Sequence, residues 1–161
     1  MNDWKPTLDA IIGSRHGGKT DHVLGALREL DALHPHVPEV AAELAFTLST
    51  QGAHAEALAA YERALALGLA SPAEQANTLV GRAVCLLRLD RAAEAVRGLE
   101  YASVQFPDHT EFAAFLALAR FRAGQSGPAF ILLLDTLLET SDDVGLAAHQ
   151  RTLRALAQSN G

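Results

Sequence analysis

Three stretches of the chain, 38–71, 76–109 and 110–143, superimpose on one another, and that internal repetition limits the fold more than any other feature. Small residues recur at the same places of each unit: Ala45, Ala83 and Ala117 at the eighth, Ala57, Ala95 and Ala129 at the twentieth, and Ala64, Ala102 and Thr136 at the twenty-seventh. A bulky residue, Tyr61, Leu99 or Leu133, falls between the last two, and the fifteenth place holds Gly52, Asp90 or Gly124. With helical period between these places, each unit reads as a helical hairpin. Its two helices touch closely at the alanines, and Gly or Asp lets the chain reverse.

The composition agrees. The 161 residues include 31 Ala and 26 Leu against 8 Val and 3 Ile, which favours helix and argues against a strand-rich fold. A hydrophobic share of 49% with mean hydropathy +0.10 gives a core to bury and argues against wholesale disorder. The formal charge is -6, and no stretch is basic enough to track a phosphate backbone, so no nucleic-acid partner is expected. Cys85 is the single cysteine and has no partner for an intramolecular disulfide. The opening Met1-Asn2-Asp3-Trp4-Lys5-Pro6 lacks the basic and apolar regions of a secretion signal. The longest apolar run, Ala129 to Leu134, is far short of the roughly 18 residues that span a bilayer. A cytoplasmic location without membrane attachment is the expectation.

The second and third units are 34 residues apart and the first and second 38. The extra four have a local cause. Ser71-Pro72-Ala73-Glu74 offers an N-cap, a first-turn Pro and a Glu three places after the cap, so the next helix starts one turn early. Stepping back 34 from Pro38 reaches Trp4, and Val23, Leu27 and Leu30 fit the second helix of a degenerate unit over 4–37. Stepping forward, Leu146, His149, Leu153 and Leu156 space out one amphipathic helix over 144–158 that would cap the stack. Nine helices are predicted, over about 5–15, 20–33, 38–51, 54–67, 72–88, 91–105, 109–123, 127–140 and 143–158.

This pattern resembles the tetratricopeptide repeat (TPR). The runs from Glu56 to Leu69 (EALAAYERALALGL) and from Glu111 to Asp143 are similar to the bacterial set called TPR group 5. The likeness covers Val40 to Gln158 and departs from the family at Arg82, where an apolar residue normally packs, and at Thr136. It implies an all-α, TPR-like α-solenoid of stacked helical hairpins with a C-terminal capping helix, as one domain over 1–161. It also implies a non-catalytic protein–protein interaction module, a scaffold or adaptor without cofactor, that takes a peptide or helix of a partner on its concave side. The family's groove-facing places fall on Glu39, Glu43, Phe46 and Thr50, then Val80, Val84, Leu87 and Arg88, then Glu111, Phe115, Leu118 and Arg122.

Arg88 and Arg122 hold equivalent places, and Arg82 and Arg120 come from the same helices. Guanidinium forks suit carboxylates, so an apolar segment bearing Asp, Glu or a free C-terminus is the expected ligand; alternatively these arginines only neutralise nearby Glu. The chaperone-tail clamp of some family members needs Lys and Asn where this chain has Glu43, Phe46 and Gly81, so that ligand is not expected.

Two further signals compete with this reading. Gly13-Ser14-Arg15-His16-Gly17-Gly18-Lys19-Thr20 satisfies the phosphate-loop pattern, and the apolar run 130–134 ending at Asp135 imitates its metal-holding partner strand, so a nucleotide- or anion-binding protein is the alternative. A phosphate loop must follow a buried strand, yet only Ile11 and Ile12 precede Gly13 and Pro6 lies close upstream. His34 and His36 flank Pro35 without a Cys or acidic cluster to join them, so no metal site is expected. The second signal lies in 127–140. Ala129, Leu133 and Leu137 are expected to face inward, leaving Ile131, Leu134 and Leu138 as an outer stripe, covered by the C-terminal helix or paired in a homodimer.

Overall fold

The computed structural model describes residues 3–17 and 21–159. Among these it has nine α-helices and no strand: α1 (Trp4–Gly13), α2 (Asp21–Leu33), α3 (Pro38–Thr50), α4 (His54–Leu67), α5 (Pro72–Arg88), α6 (Ala92–Gln105), α7 (Thr110–Arg122), α8 (Ser126–Thr140) and α9 (Val144–Gln158). A short 3-10 turn, Ser14–Gly17, follows α1. The chain divides into two compact units, Met1–Leu89 and Asp90–Gly161.

Local chemistry sets the helix ends. At the start of α5, Pro72 occupies the first turn and Ser71 Oγ accepts from the Glu74 N–H at 3.4 Å, which is the early start expected of this helix. Asp143 caps α9, its Oδ1 accepting from the Leu146 N–H at 2.9 Å. The three reversal residues all have left-handed backbone, Gly52 with φ 83°, Asp90 with φ 57° and Gly124 with φ 80°. Gly takes that conformation freely and Asp better than most, which is why the fifteenth place tolerates little else.

In the N-terminal unit, Val23, Leu27 and Leu30 of α2, Val40, Leu44 and Ala45 of α3, Ala57, Leu58, Tyr61 and Ala64 of α4, and Ala83 and Leu86 of α5 are buried. Tyr61 is the largest of these side chains, and its ring tip fills the space over Gly81 on α5. A Cβ on Gly81 would stand 2.8 Å from Tyr61 Cε1 and closer to Cζ and Oη. The phenol of Tyr61 is pushed far above its ordinary range, first by burial and then by the nearby Cys85 and Glu43. In the C-terminal unit, Ala95, Leu99 and Ala102 of α6 pack with Phe112, Leu116 and Ala117 of α7, all buried.

An ion pair ties a helix to the next one in each unit. Glu62 of α4 meets Arg82 of α5 at 3.1 Å, and Glu100 of α6 meets Arg120 of α7 at 3.0 Å. Asp135 of α8 meets Arg154 of α9 at 2.9 Å. Partly exposed pairs like these are worth at most about 1 kcal/mol each, so they fix register more than they add stability.

Helix α8 departs from its expected phase. Leu138 is buried at 8% exposure, and Ile131 and Leu134 are half-buried, whereas Leu133 and Leu137 are 53% and 49% exposed. Arg154 reaches both Asp135 and Glu139, which holds α9 over the side of α8 that carries Ile131, Asp135 and Leu138. Of the expected outer stripe, Ile131 and Leu138 lie on the side that α9 takes, while the half-buried Leu134 adjoins the exposed Leu133 at its edge.

Gly81→Ala is expected to lower unfolding free energy by about 1–3 kcal/mol, because the added Cβ collides with the tip of the buried Tyr61 ring and forces it to shift. Gly52→Ala should cost about 1–2 kcal/mol through its positive φ, while Asp90→Gly, relieved of that strain but deprived of the Arg122 pair, should shift stability by no more than about 1 kcal/mol. Urea titrations of the full chain followed by helical circular dichroism measure all three.

Candidate functional site

The N-terminal unit encloses a cavity of about 780 Å³ between α1, α3 and α5. From α3 come Glu39, Glu43, Phe46 and Thr50, and from α5 Val80, Val84 and Arg88. These are seven of the eight groove residues expected on those two helices. The eighth, Leu87, is buried. Val80, Val84 and Arg88 follow one another at four-residue steps along one face, and Leu87 is rotated onto the neighbouring stripe with Ala83 and Leu86, which faces the core.

The remaining wall was not anticipated from the sequence. Trp4, Lys5, Leu8, Asp9, Ile12 and Arg15 line the cavity from the N-terminal segment, and Ser49, His54, Tyr61 and Leu69 are among the other residues that border it. Stepping back 34 residues from Glu39, Glu43 and Phe46 lands on Lys5, Asp9 and Ile12, so the period carried the signal even though the first unit is degenerate.

Arg15 organises this wall. Its Nη2 donates to Thr47 Oγ1 at 2.8 Å, stands 2.7 Å from Glu43 Oε2, and its guanidinium lies 5.2 Å from the centre of the Phe46 ring. Thr47 is buried but satisfied, since its hydroxyl also donates to the Glu43 carbonyl at 3.0 Å. The result fixes Phe46, still 49% exposed, as a rigid apolar face with a neutralised ion pair behind it. Beneath it, Cys85 Sγ donates to Ser49 Oγ at 3.6 Å, and burial pushes the thiol up against the opposing pull of that bond. Cys85 is thus a buried core thiol and not a nucleophile poised for reaction.

The arginines divide into two kinds. Arg82 and Arg120 are drawn to Glu62 and Glu100 and so serve the helix contacts, and Arg122 meets Asp90 at 2.6 Å. Arg88 lines the cavity and has no ion-pair partner among the described residues. The third expected set, Glu111, Phe115, Leu118 and Arg122, lies along α7 in the other unit. There His109 Nδ1 and Glu111 Oε1 are 2.8 Å apart, and that contact holds the Glu111 carboxyl below its ordinary range. His109 is itself packed edge-on to Phe106, ring centres 5.6 Å apart.

The phosphate-loop segment falls partly on residues 18–20, so Gly18, Lys19 and Thr20 lie outside the described residues. What precedes Gly13 is helix α1 and not a strand, and Asp135 sits within α8, bound to Arg154. The strand context that a phosphate loop requires is not there. Among the described residues no helix is long and apolar enough to cross a membrane.

No protein-family model matches the chain, and no curated protein matches it in sequence. Solved structures do. MamA 41-end from Desulfovibrio magneticus RS-1 is similar over 99% of this chain and 91% of its own, with TM-score 0.74 and 15% identity. Yeast Tom70 is similar over 99% of this chain and 34% of its own, with TM-score 0.70 and 22% identity. PilF of Pseudomonas aeruginosa is similar over 97% of this chain and 72% of its own, with TM-score 0.69 and 19% identity. These are tetratricopeptide-repeat proteins, and the fold of this chain is TPR-like and all-α. Proteins of this fold are in general non-catalytic interaction modules.

His109→Ala should raise the titration midpoint of Glu111 toward the ordinary carboxylate value, as read by side-chain carboxyl NMR. The sign follows from the depressed carboxyl: whatever stability the contact lends is present at neutral pH and is lost as pH falls through the folded-state midpoint.

Proposed function

We propose that this protein is a non-catalytic scaffold that binds a segment of a partner protein in the groove formed by α1, α3 and α5. The observation that carries this reading is the cavity itself. It gathers the groove-facing places of three first helices around Phe46, with Trp4, Ile12, Val80 and Val84 as apolar wall and Arg88 as a cation without an ion-pair partner among the described residues. A concave apolar pocket with a few oriented polar groups is the general form of a binding site.

The ligand that suits it is a short segment placing an aromatic or aliphatic side chain against Phe46 and a carboxylate, from Asp, Glu or a free C-terminus, on Arg88. Arg15 is not available for that carboxylate, because Glu43 and Thr47 already engage it. The acidic residues Glu39, Asp9 and Glu74 around the opening disfavour a segment carrying several negative charges and favour one with a single acid among neutral or basic neighbours.

A display library of random peptides selected on the full chain would test this. Enriched peptides should combine an apolar residue with an acid or free C-terminus, and Phe46→Ala and Arg88→Ala should each weaken them about tenfold or more without changing the helical signal. Arg122→Ala, in the other unit, should leave binding unchanged. Peptides that bind the Phe46→Ala and Arg88→Ala variants as well as the wild type would overturn the assignment.

A further inference from the structure

Each second helix of the repeated units carries three core-facing places one and two turns apart. In α4 these are Leu58, Tyr61 and Leu65, and in α6 Val96, Leu99 and Ser103. Leu58, Tyr61, Val96 and Leu99 are all buried, on helices that pack against α5 and α7 respectively. In α8 the same places hold Phe130, Leu133 and Leu137, larger in sum than their counterparts in α6, and they are 59%, 53% and 49% exposed. The helix that should cover them, α9, sits instead on the side of Asp135 and Glu139 and buries none of its own residues. The stacking face of α8 is complete in its side chains and lacks an occupant.

We propose that this face pairs with the same face of a second copy of the chain, the two α8 helices running antiparallel about a dyad at Leu133 and Leu134. Such a dyad sets Phe130 against Leu137 of the second copy, Leu133 against Leu134, Gly127 against Thr140 and Ser126 against Ser141. Every cross-pair is thus apolar with apolar at the centre and neutral at the ends. The only charges on α8, Asp135 and Glu139, are held to one side by Arg154 of the same chain, so a twofold contact brings no like charges together despite a formal charge of -6 on each copy. Head-to-tail stacking on the first hairpin is disfavoured, because the exposed residues of α1 include Lys5 and Asp9, which would be desolvated against Phe130 and Leu133 without partners. Four apolar side chains per copy, Phe130, Leu133, Leu134 and Leu137, make a small contact, so the dimer is a weak and concentration-dependent one.

Sedimentation equilibrium of the full chain over a wide concentration range tests this. The weight-average mass should climb from 17.1 kDa toward twice that value, and Leu133→Glu should hold it at 17.1 kDa with an unchanged helical signal, since Leu133 is half exposed in the single chain. Phe46→Ala, in the groove, should dimerise as the wild type does. Oxidation of an equimolar mixture of Phe130→Cys and Leu137→Cys chains should give mostly the mixed covalent dimer, because the dyad brings those two positions together and keeps each away from its own counterpart. A wild type that stays at one chain's mass at every concentration, a Leu133→Glu variant that still dimerises, or a predominance of Phe130→Cys pairs would each overturn the proposal.

Discussion

Close approach between helices at positions with little or no side chain is the constraint on which the rest of this protein depends. Ala45, Ala57, Ala64 and Ala83 are all buried, and Gly81 lets the Tyr61 ring lie where even a methyl group would collide. Because Tyr61 enters that notch, α4 and α5 are held at a distance and rotation that bring Glu62 to Arg82 on one side. On the other side the same packing carries Val80, Val84 and Arg88 into the cavity wall. A larger residue at Gly81 would disturb the core contact and the groove together, since both are set by how α5 seats on its neighbours.

The groove gains its character from which charges are used and which are left. Arg15 is tied to Glu43, Thr47 and the Phe46 ring, so it stiffens the wall and has little left to offer a ligand. Arg82, Arg120 and Arg122 each have an acidic partner within their own unit. Arg88 lines the cavity and has no ion-pair partner among the described residues. Five arginines that look alike in sequence therefore have three different roles, and the division follows from which helix face each occupies and which acid lies across from it.

The repeat made most of the fold legible. All nine helices lie within two residues of their expected bounds, because caps, prolines and the left-handed turn residues act locally and leave their mark at fixed places. Of the places read from the sequence on α3 and α5, Glu39, Glu43, Phe46, Thr50, Val80, Val84 and Arg88 line the cavity, while Leu87 is buried one residue off that stripe. The contribution of α1 was hidden because its unit has lost the small-residue pattern, although the 34-residue step still pointed to Lys5, Asp9 and Ile12.

Helix α8 marks the limit of such reading. Its sequence, Phe130-Ile131-Leu132-Leu133-Leu134, is apolar on every side, so periodicity alone could not say which stripe faces inward. The sequence by itself determined the period, the helices, the turns and the positions that must stay small, since these follow from backbone geometry within a few residues. Only the tertiary structure decided that α9 lies over Ile131 and Leu138, that Phe130, Leu133 and Leu137 stay exposed, and that Arg88 has no ion-pair partner among the described residues. Those outcomes depend on how each helix is rotated about its own axis against a neighbour, and that rotation is set by packing and ion pairs between residues distant in the chain.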